Sequence, residues 1–440
     1  MTREAAWHVL RSASPAPMRD LDAICARAGL DARDVGLVRA ICGTEIRRRG
    51  TLRAIVNTFV PRKPKPDLIA HLHIGLVQLL FLDRIPEHAA VSETSDAVAR
   101  TVGSSKVPFV NGVLRTVLRA RREGHSGDAR ADLVDRPFHF DREVFRDPAK
   151  HPLLWAEDAL SLPAPLAKRW TRRYRSHGME ALARTFLHEP PLVLRALGDR
   201  DALVAELAEA GVGTRPGTHP KALIADPGAT ASVVSSGAFR LGRLTIQGEA
   251  AARAAELVDA KEGEEVLDLC CAPGGKTAIL AATGAKVWAS DIDETRLERA
   301  RETAARLGVD ERITFLVSDG TAAVPDRTFD AVLVDAPCTN TAVLGARPEA
   351  RWRFGPRTLA SVESLQTRLL QEASERVRPG GRLVWSTCSL EPEENQRRVA
   401  TFLADHPDWT LQTDHQILPD ATKGPFDGGY AALLVRSTAP

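Results

Sequence analysis

Apolar residues recur at helical spacing through the first quarter of the chain. They form groups such as Ala6, Val9 and Leu10; Val35, Val38, Ile41 and Ile46; Leu68, Leu72, Leu76, Leu79 and Leu80; and Val110, Val113, Leu114, Val117 and Leu118. Breaks fall at the run PRKPKP (61–66), at Ile85-Pro86 and around Gly103, where proline or glycine interrupts the helical pattern. The pattern predicts an all-helical bundle of roughly six or seven helices. Over residues 126–150 the periodicity fades into polar sequence, which reads as a linker.

The period then changes. From 151 to 245 the strand-like PLVLRAL, the helical DALVAELAEAG and the short apolar runs ALIAD and RLTIQ predict a small α/β region. From 246 onward strands and helices alternate: VLDLC (266–270), VWAS (287–290), ITFLV (313–317), DAVLV (330–334) and RLVWST (382–387), all but ITFLV followed by a helical segment. Such alternation predicts a doubly wound, mostly parallel, Rossmann-like sheet, with AALLVRS as a final edge strand. The expected division is 1–140 helical domain and linker, 141–245 small α/β domain, and 246–440 catalytic α/β domain.

With 44% hydrophobic residues, the 440-residue chain has enough apolar material for ordinary packed cores. The net charge of +2 is polarised: +7 over 1–140, +3 over 141–245 and −8 over 246–440. A basic front joined to an acidic remainder is the layout of a nucleic-acid-binding appendage, because phosphate neutralisation supplies most non-specific affinity. A solvated basic helical face gives the same count. The segment KRWTRRYR places Lys168, Arg169, Arg172, Arg173 and Arg175 around Trp170 and Tyr174, a set suited to phosphate contact and base stacking, although an ordinary amphipathic surface helix needs no RNA to explain it. Six cysteines with no C-x-x-C pair point to a reducing compartment, with neither a disulfide framework nor a metal site. No run of 18 apolar residues is present, and the charged start MTREAAWHVLRSAS does not resemble a signal peptide, so a cytoplasmic protein without membrane association is expected.

Candidate chemistry lies at the strand ends of the last region. The first strand runs into Cys270-Cys271-Ala272-Pro273-Gly274-Gly275-Lys276-Thr277. A glycine-rich turn of this kind lets the backbone approach a ligand closely, but it is neither a Walker A loop nor a G-x-G-x-x-G fingerprint, which disfavours phosphate and NAD. Asp291 follows the second strand, where a carboxylate accepts ribose hydroxyls; Asp319 follows the third and could take an adenine amino group; Asp335 ends the fourth and could hold an ammonium. Three acids so placed match S-adenosylmethionine, which carries ribose, adenine and an amino acid but no phosphate. Asp293 reads as a helix N-cap. Two thiols, Cys338 in Asp335-Ala336-Pro337-Cys338 and Cys388 in Ser386-Thr387-Cys388-Ser389, also follow strands and could converge on one substrate, an arrangement suited to covalent catalysis. Cys270 and Cys271 read as small buried residues of the loop, and Cys25 and Cys42 as core.

The stretch HLHIGLVQLLFLDRIPEHAAVSETSDAVAR, followed by FVNGVLRTVLRARR, resembles the NusB-like RNA-binding domain at the front of bacterial ribosomal-RNA methyltransferases. LDLCCAPGGKT, DAPC with the downstream RPEARWR, and STCSLEPEEN resemble successive motifs of the RNA cytosine-C5 methyltransferases, and with this front the chain is most similar to the branch acting on 16S ribosomal RNA. The resemblance implies Cys388 as nucleophile, Cys338 as the residue assisting product release, and Asp335 as a contact to the cytosine edge. It also implies an S-adenosylmethionine site built from residues 270–276 with Asp291, Asp319 and Asp335. The implied substrate is 16S RNA before or during small-subunit assembly, with no obligate protein partner. Arg347, Arg351, Arg353 and Trp352 could grip a flipped-out nucleotide or form a solvent-facing loop. The family continues its Pro-Cys motif with Ser-Gly, whereas Thr339-Asn340-Thr341-Ala342-Val343 stands here. Alternative readings are methylation of transfer RNA or another RNA, and a non-catalytic RNA-binding assembly or antitermination factor.

Overall fold

The computed structural model describes residues 1–12, 14–318 and 327–438. Asp319 therefore lies outside the described residues. Contacts divide the chain into two compact units, Met1–His188 with Arg347–Gly355, and Glu189–Ala346 with Pro356–Pro440.

The first unit begins with α1 (Thr2–Arg11), α2 (Pro17–Arg27), α3 (Ala32–Phe59), α4 (Pro66–Phe81), α5 (Glu87–Thr101) and α6 (Val107–Ala120). The Asp31 carboxylate caps α3 by accepting from the Asp34 N–H at 2.8 Å. The stripes expected from the sequence are the buried faces: Ile41, Ile46, Leu72, Leu76, Val110, Leu114 and Val117 have no exposed surface, and Cys25 and Cys42 join them. Helices α4 and α6 approach at Gly75, where any Cβ would stand 2.6 Å from Leu114 Cδ1. The stretch expected as a linker is packed instead. Strands β1 (Arg121–Glu123) and β2 (Phe138–Phe140) form an antiparallel ribbon, and Leu133, Phe140 and Phe145 are buried. Those anchors follow no period, so the polar residues around them hid the packing.

Helices α7 (Pro152–Leu160) and α8 (Ala164–Thr185) follow in the same unit. The base-stacking role expected of Trp170 is corrected here. Its ring is 1% exposed and lies 5.8 Å from the Phe186 ring, centroid to centroid, so no base can reach it. Lys168, Arg172 and Arg175 of the same segment remain exposed.

The second unit holds two sheets. In the smaller, β3 (Val193–Ala196), β4 (Thr214–Pro216), β5 (Ala222–Ala225) and β6 (Leu244–Ile246) pair antiparallel in the order β4-β5-β3-β6. Helices α9 (Arg200–Glu209), α10 (Thr230–Ser235) and α11 (Gly237–Arg240) connect them. After α12 (Glu249–Leu257) come β7 (Glu265–Leu269), α13 (Gly275–Ala281), β8 (Lys286–Asp291), α14 (Glu294–Leu307), β9 (Ile313–Val317) and β10 (Phe329–Asp335). The short α15 (Ala350–Arg353) belongs to the helical unit, and α16 (Pro356–Glu375), β11 (Val377–Thr387), α17 (Gln396–Asp405), β12 (Trp409–Ile417) and β13 (Gly429–Arg436) complete the chain.

The larger sheet has the order β12-β13-β11-β10-β7-β8-β9, parallel from β11 to β9 and antiparallel at β13 and β12. Alternate residues of β7 serve opposite layers: Leu267 and Leu269 pack with Val332, Val334 and Trp385, while Val266 packs with Ala331, Leu333 and Val384. The expected edge strand AALLVRS is an interior strand, flanked by β11 and β12. Its continuous apolar run reflects that burial, and the true edge, WTLQTDHQI, is largely exposed and polar, which concealed it. Strand order reverses between β7 and β10, the switch point outside whose carboxyl ends ligands bind in open α/β sheets. Among the described residues no helix is long and apolar enough to cross a membrane.

Candidate active site

The loop leaving β7 lies at one side of this switch point. Its course needs two left-handed residues, Cys270 at φ 61° and Gly274 at φ 91°. At Gly274 an added Cβ would also come within 3.0 Å of the Ala300 Cβ, so glycine serves both the turn and the close approach to α14. Asp291, 2% exposed, ties the loop to the end of β8. Its carboxylate accepts from the Ala272 N–H at 3.2 Å, the Asp293 N–H at 3.1 Å and Arg296 Nη1 at 3.1 Å. Arg296 Nη2 donates to the Ala272 carbonyl at 2.7 Å, closing the ring. Asp293 caps α14 as expected, accepting from the N–H groups of Thr295 and Arg296.

Asp268, which sequence reasoning passed over as a strand residue, has no exposed surface. One carboxylate oxygen accepts from Thr277 Oγ1 at 2.7 Å, and Oδ1 has no hydrogen-bond partner among the described residues. Burial pushes its pKa up to about 7. With Asp291 and Asp335 it makes an acid-rich surround that suits a cationic ligand and disfavours phosphate, the balance S-adenosylmethionine requires. Cys270 and Cys271 are inert by contrast: burial, with the neighbouring acids, raises both thiols, Cys270 to about 12.

The other side of the switch point carries the two thiols. Cys338 follows β10 and Cys388 follows β11, and their Sγ atoms stand 3.1 Å apart as free cysteines. Cys338 is held well above the ordinary thiol range by its contact with Cys388 and by burial. Lys276 Nζ lies 2.7 Å from Asp335 Oδ2. Burial opposes the ammonium, but Asp335, then Cys388 and Asp268, more than offset this and keep its pKa raised.

A buried carboxylate locks the two thiol loops together. Glu394 accepts from the Thr339 N–H at 2.9 Å, from the Thr339 hydroxyl, from Ser389 Oγ at 2.5 Å and from Gln366 Nε2 at 3.2 Å. Asn395 beside it accepts from Thr387 Oγ1 at 2.5 Å and donates to the Ser389 carbonyl at 2.8 Å. The Ala342 N–H donates to the Cys388 carbonyl at 3.1 Å, a direct backbone link between the loops. The acidic half of STCSLEPEEN thus braces its cysteine half, a role spacing alone did not reveal.

Two residues of the segment 347–355 depart from both roles considered for it. Arg351 is 1% exposed and donates to the carbonyls of Arg47 at 3.2 Å, Ser161 at 3.4 Å and Phe186 at 2.6 Å, inside the helical unit. Burial, with Arg47 and Arg48 nearby, lowers its pKa to about 9. Trp352 Nε1 donates to the Ile46 carbonyl at 2.8 Å, and the Arg53 guanidinium sits 5.1 Å from its ring centroid. Arg351 and Trp352 are therefore packing residues, while Arg347 and Arg353 are exposed.

The family description 16S rRNA methyltransferase RsmB/F matches residues 255–424, and the NusB family matches residues 2–119. A ribosomal RNA small subunit methyltransferase B from Yersinia pestis bv. Antiqua is 31% identical over 386 residues, covering 82% of this chain and 81% of that protein. Among solved structures, the protein PH0851 superposes with a TM-score of 0.75 at 24% identity over 98% of this chain and 97% of that one, a likeness of fold. A methyltransferase homologue from Pyrococcus horikoshii gives 0.55 at 25% identity, covering 66% of this chain and all of its own. The fold, the acid-rich loop and these matches agree: the chain belongs to the RsmB/F family of S-adenosylmethionine-dependent ribosomal-RNA methyltransferases and carries a NusB-family domain at its front.

Proposed function

We propose that the protein methylates C5 of a cytidine in 16S ribosomal RNA in the cytoplasm, before or during small-subunit assembly, through a covalent bond between Cys388 and C6 of the base. The observation that carries the reading is the pair of thiols 3.1 Å apart beyond the ends of β10 and β11, beside the Lys276–Asp335 ion pair. Cytosine C5 is too weak a nucleophile to be methylated directly. Addition of the Cys388 thiolate to C6 breaks the aromaticity and makes C5 electron-rich. Bound S-adenosylmethionine supplies an electrophilic sulfonium methyl group. Once C5 is methylated its proton is removed, the S–C6 bond breaks, and Cys388 leaves as thiolate; Cys338, in contact with that sulfur, assists this elimination. Asp335 hydrogen-bonds the amidine edge of the base, where charge develops at N3.

Cofactor-binding roles fall to residues Cys270, Cys271, Ala272, Pro273, Gly274, Gly275 and Lys276 with Asp291, Asp319 and Asp335. Residues 1–140 would grip RNA, 141–245 would dock it, and 246–440 would carry out the reaction. The test is methyl transfer from radiolabelled S-adenosylmethionine to naked small-subunit RNA, assembled 30S particles and transfer RNA, with digestion to identify the nucleoside. Labelled 5-methylcytidine from naked 16S RNA is expected. Label in transfer RNA alone would overturn the substrate, and RNA binding without any label would favour a non-catalytic assembly factor.

A further inference from the structure

The turn after Cys338 departs from its family pattern at a position that touches the reacting sulfur. Asn340 has φ 61°, the left-handed region that glycine occupies freely and that asparagine tolerates best among the other residues. Its Nδ2 donates to the Cys338 carbonyl at 2.8 Å. A carbonyl only accepts, so this bond fixes which way round the amide lies. Oδ1 is thereby turned to Cys388 Sγ, 3.2 Å away, and accepts from the thiol. The Asn340 carbonyl accepts from the Val343 N–H at 3.2 Å, which closes the turn behind it.

We propose that Asn340 is a direct partner of the Cys388 sulfur that holds the thiol protonated while no RNA is bound. Its catalytic consequence rests on Cys388 being the nucleophile; the contact itself does not. A carboxamide oxygen accepts from S–H but repels a thiolate, so ionising Cys388 loses one hydrogen bond and places negative charge against an acceptor. Among the described residues, Lys276 and Cys338 bear directly on this sulfur, and Glu394 bears on it through Cys338. Lys276, on α13, favours the thiolate, and its partner Asp335 partly cancels that effect. Cys338 is 3.1 Å away, and Glu394, which bears electrostatically on Cys338, opposes further negative charge when ionised. Within this set Asn340 supplies an acceptor that a glycine in the same turn would lack.

The position offers a clean substitution. Asn340→Gly suits the backbone at φ 61° and deletes only the carboxamide, while Asn340→Asp puts a carboxylate in its place. The rate of iodoacetamide alkylation at Cys388, resolved by peptide mass spectrometry across pH on the full-length protein without RNA, reads the thiol directly. Asn340→Gly should lower the midpoint by roughly half to one pH unit, and Asn340→Asp should raise it, with thermal unfolding confirming that each variant is folded. Identical midpoints for the parent and Asn340→Gly would overturn the proposal. Single-turnover methylation across the same pH range should shift in parallel. If alkylation shifts and methylation does not, the contact stands and the assignment of Cys388 as nucleophile falls.

Discussion

Cys338 Sγ stands 3.1 Å from Cys388 Sγ although 50 residues separate them in the chain. Two parallel neighbours, β10 and β11, deliver them, with Asp335 paired to Ser386 in register just before the loops diverge. A division of labour between the thiols follows if Cys388 bonds C6 of the base and Cys338, held against its sulfur, assists release of the product. Cys388→Ala should abolish methyl transfer and leave S-adenosylmethionine binding unchanged. Cys338→Ala should instead accumulate a protein–RNA adduct that survives SDS on a gel and disappears in the double variant; the absence of such a band would sink the assignment.

Glu394 braces both loops from a fully buried position. Glu394→Ala leaves several buried donors without an acceptor, at about 1–3 kcal/mol each before relaxation. A loss of about 3 kcal/mol in urea unfolding is expected, with Glu394→Gln retaining most of the stability. Equal midpoints for Glu394→Ala and the parent would remove the bracing role.

Asp268 predicts a pH dependence. Its folded pKa, about 7, lies above the ordinary 3.8 because burial disfavours the charged form. The folded state therefore binds its proton more tightly than the unfolded chain does. That contribution is fully present below pH 3.8 and is lost as pH rises to about 7, a span of about 4 kcal/mol. Asp268→Asn does not titrate, so the stability difference between variant and parent should change across this window and flatten above it. A difference that stays constant with pH, measured by denaturant unfolding without cofactor, would contradict the assignment.

Arg351 separates packing from RNA recognition. Arg351→Leu leaves three carbonyls without their charged donor and should cost about 2–4 kcal/mol. The expected outcome is a lower unfolding midpoint with RNA affinity unchanged at temperatures where the protein stays folded. Weakened RNA binding at parental stability would restore the nucleotide-gripping role.

Much of the catalytic unit was legible in the residues because strand ends and motifs coincide. VLDLC, VWAS, ITFLV and DAVLV lie within a residue or so of strands β7 to β10, Asp291, Asp335 and Cys338 lie at or just beyond those ends, and Cys388 follows β11. Features that depend on long-range packing were not legible. Trp170 and Arg351 carry the composition of a nucleic-acid surface, yet burial depends on partners far along the chain, such as Arg47 for Arg351. The edge strand Trp409–Ile417 was missed because one row of hydrogen bonds to β13 holds it without a continuous apolar run. Asp268 was hidden for the opposite reason, since an acid inside a strand pattern gives no sign of which layer it faces.

The helical unit includes Arg347–Gly355, so the carbonyls of Arg47, Ser161 and Phe186 wait for a side chain synthesised long after them. During translation the front of the chain emerges and collapses with that place unfilled. Its final consolidation is deferred until most of the polypeptide has left the ribosome. Expressed alone, residues 1–188 should accordingly be a less stable body than the same residues within the whole chain.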